Sequence, residues 1–294
     1  MGYIVRATAN EGNVRIFCAI TTDIVEKARQ VHNLSPLASA ALGRLLSAGS
    51  ILGLMSKGEK DKITISMNGG GEAGNILVAT NSTGNVKGYI SNPAVTLPPN
   101  EAGKLDVGGA VGKNGVLNII RDLGLREPYV GQVPIYTGEI GDDLAYYFTV
   151  SEQVPSAVSL GVLVNPEDAS IKSAGALIIQ MMPDAPEMLA DVITFRLEEI
   201  PPLSTLISEG KTAEDIINLL FDDMDLKIYE TIEVNYECDC SRERVEKTLL
   251  SIGEAELNKI KEEEESINVE CHFCEKEYKF TSDDIDELIK EAKL

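Results

Sequence analysis

Tryptophan is absent from this 294-residue sequence, and aromatic residues are scarce, with six Phe and nine Tyr. The interior must therefore be built from aliphatic side chains, and a hydrophobic content of 44% is sufficient for a substantial core. Histidine is also scarce, since only His32 and His272 are present. Neither accompanies a nucleophile motif of the Ser–His or Cys–His type, so we predict that the protein is not an enzyme.

Basic residues are few: 26 Lys and Arg stand against 47 Asp and Glu, which gives a net charge of -21. Binding to a DNA or RNA backbone needs clustered Lys and Arg, so this composition argues against a nucleic-acid partner. The same charge disfavours attachment to anionic membrane surfaces. We therefore expect neither nucleic acid nor membrane as a partner.

Long uninterrupted apolar segments are also lacking. The most apolar stretch, 37–55, contains Arg44 and three glycines, which favours a buried helix over a membrane span. Residues 1–7 lack the apolar region of a signal peptide. These features, together with the cysteine usage, predict a cytoplasmic protein.

Cysteine is limited to five residues, an odd count that argues against a secreted disulfide framework. Cys18 stands alone in an apolar segment and is expected to be a small core residue. The other four form two close pairs, Cys238 with Cys240 and Cys271 with Cys274. This concentration near the C-terminal end is the most informative feature of the sequence.

Four thiolates delivered in two pairs are the ligand set of a tetrahedral zinc site. The intervening segment can fold back and bring the second pair to the first. We therefore predict that Cys238, Cys240, Cys271 and Cys274 bind one Zn²⁺ per chain. His272 lies inside the second pair, but with four thiolates available we expect it to face solvent.

The spacing of the first pair bears on whether such a site is permanent. Residues two apart lie up to ~7 Å apart in an extended chain, so a disulfide between them needs a bent backbone and is comparatively easy to reduce. Zinc holds cysteines as thiolates, which are their reactive form. Residues 238–294 carry 17 acidic and 9 basic residues, a net charge of -8, and we expect this part to unfold without metal.

The sequence divides into three parts of different pattern. Residues 1–180 alternate strand-like segments with glycine-rich turns and are predicted to form a large sheet-rich domain with two inserted helices. Residues 181–230 read as a linker of short amphipathic helices, which depend on tertiary contacts for their stability. Residues 231–294 are predicted to form a small zinc-binding domain whose cysteines can act as a redox switch. The predicted fold class is therefore α+β.

Local patterns predict the elements of these parts. In the first part, one helix begins at Ser35–Pro36 and a second covers 141–153. The predicted strands of this part cover 13–20, 63–67, 76–79, 86–90, 116–120, 157–164 and 175–180. In the linker, apolar positions favour helices near 186–193 and over 213–221. In the last part, the apolar residues of two helices are Val245, Leu249 and Ile252, and then Ile285, Leu288, Ile289 and Ala292, with strands at 267–270 and 278–280 between them.

One feature resembles a functional motif without meeting its requirements, and one low-complexity run needs no functional explanation. Residues 69–74 satisfy the dinucleotide-binding spacing G-x-G-x-x-G, but they connect two predicted strands and do not open a helix, so a hairpin turn is indicated. The four glutamates at 262–265 are most simply a solvated surface.

Several motifs spread over the chain resemble one family, the redox-regulated holdase chaperones of bacteria known as the 33 kDa chaperonin family. The resemblance covers nearly the whole length and is most specific at the two cysteine pairs. The matching segments are 35–36 with 41–44, 146–148 with 151–156, 174–175 with 180–183, 238–241 with 243–244, and 271–274 with Tyr278 and Phe280. Ala176 stands where a second glycine is expected and His272 where an acidic residue is common, but neither position is a predicted ligand.

The resemblance implies an ATP-independent chaperone that binds unfolding client proteins under oxidative stress. It implies that the reduced, zinc-bound form is monomeric and inactive. Oxidation would form the disulfides Cys238–Cys240 and Cys271–Cys274, release zinc and unfold the small domain and then the linker. The active, oxidised form would be a homodimer.

Two other functions compete with this one. A zinc-ribbon adaptor without redox switching would retain its metal under oxidation. A zinc ribbon that binds nucleic acid would need a basic surface, which the acidic composition of this chain argues against. A thiol–disulfide oxidoreductase would need its C-x-x-C motif on a βαβ scaffold, whereas Cys271 and Cys274 follow an acidic helix.

Overall fold

The computed structural model describes residues 1–183, 185–263 and 266–291. The chain divides into two compact units, the first spanning Met1–Glu237 and the second beginning at Cys238. The predicted boundary near residue 231 falls inside a strand of the first unit, and the predicted linker belongs to that unit as well.

Two antiparallel sheets form the body of the first unit. The strands of the first sheet are β1 (Gly2–Ala9), β2 (Val14–Ile20), β8 (Ser156–Val164), β9 (Ile171–Met181) and β10 (Lys227–Val234). Those of the second sheet are β3 (Lys62–Asn68), β4 (Ile76–Asn81), β5 (Val86–Ile90), β6 (Val116–Asp122) and β7 (Tyr129–Pro134). The strand orders are β10-β1-β2-β9-β8 and β5-β4-β3-β6-β7.

A long apolar helix, α2 (Pro36–Leu54), packs against both sheets. The Ser35 hydroxyl accepts a hydrogen bond from the Ala38 amide at 3.1 Å and caps the helix, as predicted, and Pro36 occupies its first turn. Sixteen of its 19 residues are buried, because apolar sheet faces lie around it. Among the described residues, α2 alone has the length and apolar composition of a membrane span, and 89% of its most apolar window is buried in the protein.

The opposite face of the first sheet is covered by helices of the predicted linker: α5 (Glu187–Glu199), α6 (Leu203–Ser208) and α7 (Ala213–Phe221). Their apolar residues form one cluster with Val5, Ile16 and Ile179 of the sheet. Thr212 and Asp215 cap α7 reciprocally, which fixes where that helix begins. The central strands of the first sheet are therefore covered on both faces, by α2 on one side and by α5–α7 on the other.

The prediction of two helices in the first 180 residues is wrong, since the described chain has four there. They are α1 (Thr22–His32), α2, α3 (Val107–Val111) and α4 (Ile140–Val150). Helix α1 buries Ile24, Val25 and Ala28, an apolar face that its many polar residues obscure in the sequence.

The glycines at 69–74 lie between β3 and β4, as the predicted hairpin requires, and not before a helix. A Cβ atom on Gly69 would lie 2.1 Å from the carbonyl oxygen of Gly112, and one on Gly71 would lie 2.3 Å from that of Ala110. Glycine is therefore needed here for close packing of the turn against α3.

The second unit contains α8 (Arg242–Ile252), α9 (Glu254–Glu263), β11 (Ser266–Glu270), β12 (Glu277–Thr281) and α10 (Ser282–Glu291). Strands β11 and β12 form an antiparallel hairpin, and the described core of the unit consists of Leu249, Leu257, Tyr278, Phe280, Ile285, Leu288 and Ile289. Glu264 and Glu265 of the acidic run and Ala292 of the predicted apolar stripe lie outside the described residues.

Candidate metal centre

The first cysteine pair lies in the loop that leads into α8. Cys240 directly precedes Ser241, whose hydroxyl accepts a hydrogen bond from the Arg244 amide at 3.3 Å and caps the helix. Arg244 also pairs with the carboxylate of Asp239 and donates to its carbonyl oxygen at 2.9 Å. The cap and this ion pair hold the backbone of the loop in place.

The second pair occupies the turn between β11 and β12. The Cys271 amide donates to the Lys276 carbonyl at 3.0 Å, and the amides of Cys274 and Glu275 donate to the Cys271 carbonyl at 3.1 and 2.8 Å. Glu275 adopts a left-handed conformation with φ 56°. This tight turn places two sulfurs on one side of the hairpin.

The four predicted ligands come together. Their sulfur atoms all lie within 4.8 Å of one another, with 3.7 Å between Cys238 and Cys271 and 3.4 Å between Cys240 and Cys274. Sulfurs bound tetrahedrally to zinc at ~2.3 Å would lie about 3.8 Å apart. The donor set and its dimensions therefore fit a tetrahedral metal ion, and all four thiols are free and half-buried.

The sulfurs interact electrostatically even without a metal. Burial raises the pKa of Cys240, but the Tyr278 hydroxyl and the neighbouring thiols donate hydrogen bonds that together lower this pKa to about 7. Burial and the adjacent sulfurs raise the pKa of Cys238, while the Cys240 amide, which donates to its sulfur, opposes this.

Sequence reasoning missed one residue of this site. The sequence marks Tyr278 as part of a strand and of the family pattern, without a role at the metal centre, but its hydroxyl donates to the Cys240 sulfur at 3.2 Å. No motif marks this contact, because it depends on how the hairpin packs against the loop before α8.

Two other positions that the sequence analysis considered, His272 and Cys18, are not members of the cluster. His272 is exposed, as expected for a turn residue with four thiolates beside it, and is not a member of the cluster. Cys18 is fully buried in the first unit, where burial raises its pKa to about 12 and makes it a poor nucleophile.

Comparison with known proteins identifies the family. The sequence profile described as Hsp33 protein matches residues 2–281. The chain belongs to the Hsp33 family. It is 57% identical over 289 residues to a 33 kDa chaperonin of Clostridium botulinum (strain Alaska E43 / Type E3), covering 98% of both chains. It is also 57% identical to a 33 kDa chaperonin of Clostridium beijerinckii over 290 residues, covering 99% of both.

The crystal structure of the Hsp33 homologue of Thermotoga maritima has the same fold. It superposes with a TM-score of 0.89 at 36% sequence identity and covers 98% of both chains. Membership of the Hsp33 family implies a chaperone role, which is the binding of unfolded client proteins. The α+β fold class and the family resemblance inferred from the sequence are therefore confirmed.

Proposed function

We propose that this chain is a redox-regulated, ATP-independent holdase of the cytoplasm that binds unfolding proteins under oxidative stress. The observation that carries the proposal is the cluster of four reduced, half-buried cysteine sulfurs within 4.8 Å of one another. A group of this kind binds metal when reduced and can form two disulfides when oxidised.

In the reduced state, Cys238, Cys240, Cys271 and Cys274 would hold one Zn²⁺ per chain. The ion would supply a crosslink between the loop before α8 and the β11–β12 hairpin. Cys240 and Cys271 also pack against the small core of the second unit, so the ligands and that core depend on each other. In zinc-dependent peptides the metal contributes about 10–16 kcal/mol to folding, more than a small core supplies.

Oxidation by hydrogen peroxide would remove these ligands. For each disulfide, two thiolates lose two electrons, a sulfur–sulfur bond forms, the peroxide oxygen–oxygen bond breaks, and two protons complete two water molecules. The proposed pairs are Cys238–Cys240 and Cys271–Cys274, as in the family that the sequence resembles. The shortest described contacts join the other combinations, Cys238 with Cys271 and Cys240 with Cys274, so peptide mapping of the oxidised protein must decide the pairing.

Loss of the crosslink would unfold the second unit and then loosen α5–α7. These helices cover an apolar sheet face that includes Val5, Ile16 and Ile179. Uncovering this face would create a surface for unfolded clients and for a second copy of the chain. The reduced form would thus be an inactive monomer and the oxidised form an active homodimer.

The test combines four measurements on the full chain before and after treatment with peroxide and mild heat. We expect release of about one zinc ion per chain, loss of four thiols, a change from monomer to dimer, and suppression of the aggregation of a chemically unfolded client. Cys18→Ala is the matched control, since it removes the cysteine outside the cluster without placing a hydroxyl in the core, and it should respond like the wild type.

Two results would overturn the proposal. A client that still aggregates after complete oxidation would exclude the holdase function. Retained zinc with unchanged properties after oxidation would instead favour a zinc-ribbon adaptor.

A further inference from the structure

Tyr278 connects the two cysteine pairs without being a predicted metal ligand. It belongs to β12, the strand that follows the Cys271–Cys274 turn, and it pairs with Val269 of β11. Its hydroxyl, however, donates a hydrogen bond of 3.2 Å to the sulfur of Cys240, and Cys240 belongs to the other cysteine pair. One side chain therefore links the hairpin to the loop before α8.

The position of this hydroxyl is fixed by packing. Tyr278 is 7% exposed and belongs to the core of the second unit together with Phe280. The two alternate along β12 with exposed residues, so both rings point into the core. The Lys276 ammonium lies over the Tyr278 ring, 5.1 Å from its centre, and makes a cation–π contact with it. The ring has little freedom to turn its hydroxyl away from the sulfur.

A hydrogen bond to a thiolate has two chemical consequences. It is charge-assisted, so it stabilises the sulfur in the deprotonated form that binds metal. It also withdraws electron density from the sulfur, which makes the sulfur a weaker nucleophile toward peroxide. Groups that support metal ligands in this way typically change metal affinity 10–100-fold.

We propose that Tyr278 is a positioning residue of the metal centre, which holds the Cys240 sulfur as a metal ligand and slows its oxidation. This inference rests on the proposed function, because it assigns Tyr278 a part in retaining the metal and setting the oxidant threshold. The hydroxyl would act through the Cys240 sulfur and is not itself one of the predicted ligands.

The test is Tyr278→Phe in the full chain, which removes the hydroxyl and keeps the ring in the core. We expect zinc affinity, measured by competition with a chromogenic chelator, to fall about 10-fold or more. In the cobalt-substituted protein, the sulfur-to-cobalt charge-transfer band should move to longer wavelength, because a sulfur without the hydrogen bond gives up electron density more easily. Peroxide should release zinc faster than from the wild type.

Tyr229→Phe is the matched control. It also removes a tyrosine hydroxyl, here one bonded to Thr8 at 3.0 Å in the first unit, and it should leave affinity, spectrum and release rate unchanged. A second variant carries 3-fluorotyrosine at position 278, whose more acidic hydroxyl is a stronger donor. It should shift the cobalt band to shorter wavelength, opposite to Tyr278→Phe.

The outcomes separate this inference from the proposed function. If the wild type binds and releases zinc but Tyr278→Phe has the same affinity and cobalt spectrum, Tyr278 has no positioning role and the redox proposal stands. If the wild type does not bind zinc through the four cysteines, both fail together.

Discussion

A single carboxylate joins α1 to the start of β9. Glu26 accepts hydrogen bonds from Arg29 at 2.6 and 2.9 Å, from the Ile171 amide at 3.0 Å and from Gln30 at 2.7 Å. The bonds from Arg29 contribute most to holding its pKa at about 2, well below the ordinary value of 4.5. The negatively charged form of Glu26 is therefore the one that stabilises the fold.

This pKa shift predicts a pH-dependent stability. A carboxylate with a depressed pKa stabilises the fold fully above its ordinary value and loses this contribution as the pH falls from about 4.5 toward 2. Glu26→Gln should cost about 1.5–3 kcal/mol at pH 7, and the difference from the wild type should shrink below pH 4.5. Urea unfolding of the first unit at several pH values measures it. The exposed Glu59→Gln serves as control, and a cost independent of pH would contradict the assignment.

At the scale of elements, the sequence predicts those helix ends and strands that depend on neighbouring residues alone. Helix α2 begins where the Ser35 cap and Pro36 place it, and strands β3 to β6 coincide with the alternating apolar segments in the sequence. Strands β1, β7 and β10 were missed. Two of them, β7 and β10, lie at sheet edges and have many exposed residues. Because such strands bury few side chains, their sequences show little alternation of apolar and polar residues.

The glycines of α2 show where packing overrides helix propensity. Alanine is favoured over glycine in a helix by about 1 kcal/mol. A Cβ atom on Gly53, however, would lie 2.3 Å from the Asn81 carbonyl oxygen, and this oxygen belongs to the backbone of β4 and cannot turn away.

We therefore expect Gly53→Ala to destabilise the first unit by about 1–3 kcal/mol. Gly49→Ala is the matched comparison in the same helix, since its Cβ would meet a methyl group of Val78 at 2.7 Å, and it should cost less because that side chain can shift. Thermal or urea unfolding compares the two. An increase in stability for Gly53→Ala would show that β4 can move away from α2.

At the scale of the whole molecule, the two units differ in how much core each one has. The first unit buries apolar clusters on both faces of one sheet and around α2. The described core of the second unit has seven buried side chains, and its sequence carries a net charge of -8. With so few described side chains buried, the second unit would depend on the proposed metal crosslink for its stability.

Removal of the metal should therefore affect the two units differently. With a strong zinc chelator, we expect amides of β11 and β12 to lose protection against hydrogen exchange, while those of β2 and β9 keep theirs. Exchange followed by mass spectrometry on the full chain measures this. If the β11–β12 hairpin stays protected after complete zinc removal, the second unit is stable by itself and metal loss cannot switch it.

The sequence by itself determined the fold class, the family and the four cysteines that meet in the second unit, because residue types, short spacings and apolar periodicity are local properties. The tertiary structure alone decided that α2 packs against both sheets, that the predicted linker covers the first sheet, and that the Tyr278 hydroxyl reaches Cys240. These contacts join segments far apart in the chain. Their geometry depends on strand register and helix packing, which no short stretch of sequence specifies.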